Sequence, residues 1–171
     1  MPQKRLGLEK VKLKVPFIEV EWKNRDVKDV PVHIFSKHSG KCVDVQNYSH
    51  DDSGSIVQYS LHGADNQRWV FEPVGSGFYH IISVLSSKCL DVSWASLDDG
   101  ADVIQYHVHG ADNQKWFLRP VETGYYHIVN KRSGKCLDVN EASQENAAKI
   151  IQHAIHGGDN QRWRLLVAEP L

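Results

Sequence analysis

No apolar run in the 171-residue chain is long enough to cross a bilayer, so no membrane insertion is expected. The longest apolar stretch near the start, Val15-Pro16-Phe17-Ile18, is far shorter than the apolar region of an export signal, and no standard export signal is expected. An excess of charge of one sign is also lacking. Lys+Arg 20 against Asp+Glu 21 gives a net charge of -1 and a pI of about 6.8, so no field over the whole surface attracts a polyanion and no nucleic-acid partner is expected. Helical periodicity of useful length is absent, and cysteine is limited to three residues. With 41% hydrophobic and 24% charged residues, the composition is that of one cored domain with a short appendage.

Recurrence fills the space these absences leave. Cys42, Cys89 and Cys136 are spaced by 47 residues, as are Asp44, Asp91 and Asp138; Gln58, Gln105 and Gln152; His62, His109 and His156. Asp-Asn-Gln-x-Trp runs end at Trp69, Trp116 and Trp163 with the same spacing. Recurrence of this regularity means three copies of one supersecondary unit, 31–77, 78–124 and 125–171, preceded by an extension of residues 1–30. Within the third copy the β-prone runs are Tyr126 to Val129, Lys135 to Val139, Lys149 to His153 and Gln161 to Leu166, with turns at Ser133-Gly134 and Gly157-Gly158-Asp159. Four short strands per copy predict an all-β fold. A propeller repeats four strands at a similar period but closes with about 4–8 blades, so three copies need another closure.

The series "SGKCLDV…IIQHAIHGGDNQRW" of the third copy, with close variants in the other two, resembles the ricin B-type lectins and the related family 13 carbohydrate-binding modules. The resemblance covers roughly residues 31 to 171. It implies a β-trefoil of three four-stranded repeats about a pseudo-threefold axis, and a non-catalytic protein whose partners are glycans, usually of galactose type.

A monosaccharide presents vicinal hydroxyls and a face of C–H groups, so its site needs a carboxylate acceptor, an amide and a flat ring. Each repeat contains that set: Asp44, Asn66 and Tyr59 with His62 at the rim; Asp91, Asn113, Tyr106 and His109; Asp138, Asn160, His153 and His156. By the resemblance, the Asp takes two hydroxyls, the ring carries the sugar, and Asn with the following Gln completes the polar side. Gln67, Gln114 and Gln161 hold the Asp in position. The three Trp residues are expected in the core. His33, His80 and His127, at strand starts, are expected to be structural.

The repeats differ. Repeat three has His153 where the others have Tyr, and Glu141 where repeat one has Asn47 and repeat two Trp94. Trp94 follows Asp91 by three residues on a polar loop, where it either adds a second ring to that site or packs locally. The expected order of the sites is two, one, three. Histidines equivalent by a threefold lie far apart unless they are on the axis, so no metal site and no cofactor are expected. The pairs Asp51-Asp52 and Asp98-Asp99 read as solvated turns, with calcium the alternative.

Secreted relatives usually close each repeat with a disulfide to a second Cys, and here the positions are Leu61, Val108 and Ile155. The resemblance therefore implies three reduced, structural cysteines, each with an apolar residue able to pack against a buried thiol. That fits a cytoplasmic protein, or one released by a non-standard route.

The first 30 residues carry eight basic groups against five acidic ones, and residues 10–22 alternate with period two. The alternation is self-complementary in an antiparallel sense: Lys14 meets Glu19, Lys12 meets Glu21, Val15 meets Ile18, Leu13 meets Val20 and Val11 meets Trp22. A hairpin turning at Pro16-Phe17 lacks the residues a tight turn needs. A homodimer through residues 10–22, or a strand docked on its own trefoil or on another protein, satisfies the pairing without that turn. The functional expectation is a multivalent lectin. Its alternative is a protein-interaction or toxin-targeting trefoil with vestigial sugar sites; an enzyme would need a recurring nucleophile or paired carboxylate, and none recurs.

Overall fold

The computed structural model describes residues 30–168. The self-complementary segment 10–22 lies outside them. Twelve strands follow in chain order: β1 (Val32–Ser36), β2 (Cys42–Val45), β3 (Gly54–Tyr59), β4 (Trp69–Pro73), β5 (Tyr79–Ser83), β6 (Cys89–Val92), β7 (Val103–Tyr106), β8 (Trp116–Glu122), β9 (Tyr125–Asn130), β10 (Cys136–Val139), β11 (Ile150–His153) and β12 (Trp163–Val167). The third repeat departs from expectation at its end: Gln161 belongs to a 3-10 turn, Asp159–Gln161, and the last strand begins at Trp163. No helix of the described residues is long and apolar enough to cross a membrane.

Antiparallel pairing closes a barrel in the order β1, β4, β5, β8, β9, β12 and back to β1. Closure leaves these strands no free edge. The hairpins β2–β3, β6–β7 and β10–β11 lie outside that ring and are stitched to one another by Gly54↔Gln105, Ser55↔Ile104, Val57↔Lys149 and Asp102↔Ile151. With the threefold recurrence of sequence, this is a β-trefoil.

The core has the same symmetry. Ile34, Ile81 and Ile128, the pairs Val43/Val45, Leu90/Val92 and Leu137/Val139, and all three Trp rings are buried together. Each indole is pinned by its N–H, which donates to the carbonyl of Val43 (3.0 Å), Leu90 (3.0 Å) or Leu137 (2.9 Å).

Alternation within the four-residue strands then places the functional residue. In Cys-Val-Asp-Val, Val43 and Val45 enter the core, so Cys42 and Asp44 must face the other way. All four are buried, because the loop ending in Asn66-Gln67 covers the second face.

Glutamines lock the repeats together. Ser39 Oγ donates to Gln58 Oε1 at 2.7 Å, and Gln58 Nε2 donates to the carbonyls of Ser143 and Glu145 in repeat three, both at 2.9 Å. Gln105 likewise reaches Ser49 and Asp51 of repeat one, and Gln152 reaches Ser96 and Asp98 of repeat two. A Cβ at Gly54 would sit 2.8 Å from Gln105 Nε2, although the equivalent positions in the other repeats, Ala101 and Ala148, carry one. The aspartate pairs are not merely solvated. Asp52 binds Lys88 (2.9 Å) and the His107 N–H (2.9 Å); Asp99 binds Lys135 (2.7 Å) and the Ala154 N–H (2.8 Å). The His107 and Lys88 contacts hold the Asp52 carboxyl down at about 2.

His33, His80 and His127 sit on β1, β5 and β9 and are buried. Burial lowers the pKa of all three, and neither ring nitrogen of His127 has a hydrogen-bond partner among the described residues. A lowered imidazole pKa gives stability that is complete above the unfolded value of about 6.5 and is lost as pH falls below it. Urea unfolding followed by tryptophan fluorescence is therefore expected to show a midpoint that drops between pH 7 and pH 5. The drop should be shallower in His127→Leu; an equal drop in that variant would show that His127 does not contribute.

Candidate functional site

The same polar arrangement recurs in all three repeats. Asp44 Oδ1 accepts from Asn66 Nδ2 at 3.0 Å, and Oδ2 accepts from Gln67 Nε2 at 2.8 Å. The distances are again 3.0 and 2.8 Å for Asp91 with Asn113 and Gln114, and for Asp138 with Asn160 and Gln161. The carboxylate residues are 3%, 4% and 2% exposed. Burial raises their pKa against the opposing hydrogen bonds from Gln, His and Asn. A buried carboxylate with a raised pKa and several donors makes each of these a candidate site.

The histidines contact the carboxylates directly, which a rim position does not imply. His62 Nδ1 accepts the Ala64 N–H at 3.4 Å, so the ring proton is on Nε2 and is donated to Asp44 Oδ2 at 3.2 Å. His109 meets Asp91 at 3.3 Å and His156 meets Asp138 at 3.2 Å in the same way. Sequence reading missed the contact, because residues 44 and 62 become neighbours only when the loop folds over β2.

Against the histidines stand the rings. Tyr59 lies edge-on to His62 (centroids 6.0 Å apart), Tyr106 to His109 (5.9 Å) and His153 to His156 (5.4 Å). Trp94 is 97% exposed and holds φ 57, a left-handed backbone that is costly for a bulky side chain. That exposure excludes local packing for the indole. Repeat one has a different second ring that the sequence reading overlooked: Tyr48, 5.9 Å from His62, where repeats two and three have Ala95 and Ala142. The available signal was an aromatic residue at position 48 where both other repeats have alanine.

The family model for the ricin-type beta-trefoil lectin domain matches residues 30–163. The chain belongs to the ricin-type β-trefoil lectin family. A designed threefold-symmetric protein, ThreeFoil, is 46% identical, with 80% of this chain and 97% of that one covered and a TM-score of 0.79. An exo-β-1,3-galactanase from Clostridium thermocellum is 37% identical, with a TM-score of 0.80; the match covers 81% of this lectin-family chain and 30% of the galactanase. The Macrolepiota procera ricin B-like lectin, solved in complex with lactose, shares the fold at 19% identity, with a TM-score of 0.68 and 78% and 93% of the two chains covered. No curated protein matches the chain. The family is in general one of non-catalytic carbohydrate-binding domains.

As a member of that family, the lectin has all three thiols free and buried. Burial pushes each up to about 12, and each Sγ donates to the carbonyl of residue 59, 106 or 153. The expected apolar neighbours are not there. Leu61, Val108 and Ile155 are 53%, 46% and 38% exposed. Gln67 explains the correction: its Oε1 takes the N–H groups of His62 (2.9 Å) and Gly63 (3.3 Å), and its Nε2 reaches the Ser60 carbonyl (3.0 Å). The loop backbone is thereby drawn inward and Leu61 turned outward.

Proposed function

We propose that this lectin-family protein is non-catalytic and multivalent, with three sites for galactose- or GalNAc-type glycans. The observation that carries the reading is the buried Asp, clamped by Asn and Gln and bonded to a His that carries a neighbouring ring, three times over. The clamp fixes the carboxylate before a ligand arrives, so its one remaining acceptor position takes a sugar hydroxyl without reorganisation. The ring takes the C–H face. Each Asp is bonded by Asn, Gln and His, whereas glycoside hydrolysis requires a second carboxylate in opposition. The galactanase likeness, at 37% identity, supports the choice of galactose-type ligands.

A single shallow site binds on the order of mM, about -4 kcal/mol, and linked sites raise apparent affinity by roughly 10²–10⁴ on a clustered glycan. On a glycan array the intact protein is expected to be retained by galactose- or GalNAc-terminated structures. Retention by none would move the assignment to a protein-interaction trefoil. Trp94→Ala should weaken repeat two by about 0.5–1.5 kcal/mol, roughly twofold to tenfold, and leave the other repeats unchanged. Titration with lactose, followed by repeat-resolved NMR shifts, checks this; an unchanged affinity in repeat two would place the indole outside the site.

A further inference from the structure

Repeat three differs from its siblings in a way the sugar reading does not use. One ligand atom each of Asp138, His153 and His156 lies within 4.8 Å of the other two. Repeats one and two have Tyr59 and Tyr106 at the position of His153, and among the described residues the third repeat alone brings two imidazoles and a carboxylate within ligand reach of one another. We propose that repeat three binds a transition-metal ion of zinc-like preference through His153, His156 and Asp138, with water as the fourth ligand.

The hydrogen bonds favour this assignment for His153. Its Nδ1 faces the Ala154 carbonyl at 3.1 Å, which can only accept, so the proton is on Nδ1 and the Nε2 lone pair is unused. An imidazole whose other nitrogen donates to a carbonyl is the usual form of a metal-ligating histidine. Asp138 is held by Asn160 and Gln161, so one member of the set is already rigid. His156 Nε2 lies 3.2 Å from Asp138 Oδ2, close to the ligand separation of a tetrahedral zinc site. In the metal-free ring the proton is on Nε2, because Nδ1 accepts the Gly158 N–H at 3.1 Å. Metal uptake moves that proton to Nδ1 and exchanges the Gly158 contact for water, which a side chain 44% exposed permits. Two imidazoles, a carboxylate and an open position form a common zinc donor set. The metal and a saccharide would compete for Asp138.

The inference stands apart from the sugar reading, because zinc is titrated with no saccharide present. The intact chain, stripped by chelator, is expected to take up one Zn²⁺ in calorimetry with zinc chloride. Co²⁺ in its place should give d–d bands of a four-coordinate site without the sulfur charge-transfer band that thiolates produce. His153→Tyr introduces the residue the other repeats already have there, and should weaken binding by at least about tenfold. Tyr106→His should add a second site in repeat two. Zinc uptake that is absent, or that is the same in His153→Tyr as in the parent, would overturn the assignment; so would a sulfur charge-transfer band from the cobalt form. If His153→Tyr failed to fold, a stoichiometry still at one in Tyr106→His would overturn it in turn.

Discussion

Trp116→Ala is expected to lower the unfolding free energy by about 3–5 kcal/mol, enough to drop the melting temperature by roughly 10 °C or more. The ring is almost fully buried, and Trp116 opens β8 where that strand pairs with both neighbours, Tyr79 on β5 and Asn130 on β9. Its removal leaves a cavity at the meeting point of three strands and deprives the Leu90 carbonyl of its 3.0 Å donor. Barrel closure limits how far the walls can collapse into the gap, which places the cost toward the upper end of the range. Urea unfolding by circular dichroism measures it. Trp94→Ala, at a fully exposed ring, is the internal control and should lie within about 0.5 kcal/mol of the parent. A loss below about 1 kcal/mol for Trp116→Ala would mean that the repeated indoles are not what the barrel closes on.

Replacing Asp44, Asp91 and Asp138 together by alanine should abolish glycan binding while leaving the fold intact. A hydrogen bond to a charged group contributes about 1.5–3 kcal/mol, and with Asn, Gln and His already bonded each carboxylate has room for one hydroxyl, so the expected loss per site is about tenfold to a hundredfold. From a starting affinity on the order of mM, nothing measurable remains. The fold tolerates the change because the partners keep other acceptors. Asn66 Nδ2 still reaches the Val45 carbonyl at 3.2 Å, and Gln67 Nε2 still reaches Ser60 at 3.0 Å. Burial also disfavours the charged carboxylates in the folded state, so their removal offsets part of the lost bonding. Circular dichroism and thermal unfolding would establish the intact fold; a triple variant that unfolds would assign the carboxylates to structure instead.

The trefoil was legible because its physics is written at fixed spacing. Residues such as Trp69, Trp116 and Trp163 must fill equivalent volumes, so they recur. The Gln of each repeat was legible for the same reason and donates to its Asp as expected, whereas the Asn bonds to the same carboxylates were not expected. What stayed hidden depends on how a loop turns or which repeat lies alongside. Gln58 recurs conspicuously, yet its partners are backbone carbonyls of repeat three, and no spacing in the sequence points at a carbonyl. Leu61 read as a core neighbour because it is apolar, whereas the Gln67 amide beneath its loop decides that it faces out. The His62 contact to Asp44 follows from that same loop. Trp94 was ambiguous between packing and binding, and its exposure excludes the packing.

The most direct test of three carboxylate-centred sugar sites is an NMR titration of the metal-free protein with methyl β-galactoside, observing the side-chain amides of Asn66, Asn113 and Asn160. Saturable shifts at all three in the parent, and at none in the folded Asp44/Asp91/Asp138 alanine variant, are the predicted result. Amide signals that stay fixed in the parent, or move equally in the variant, would contradict it.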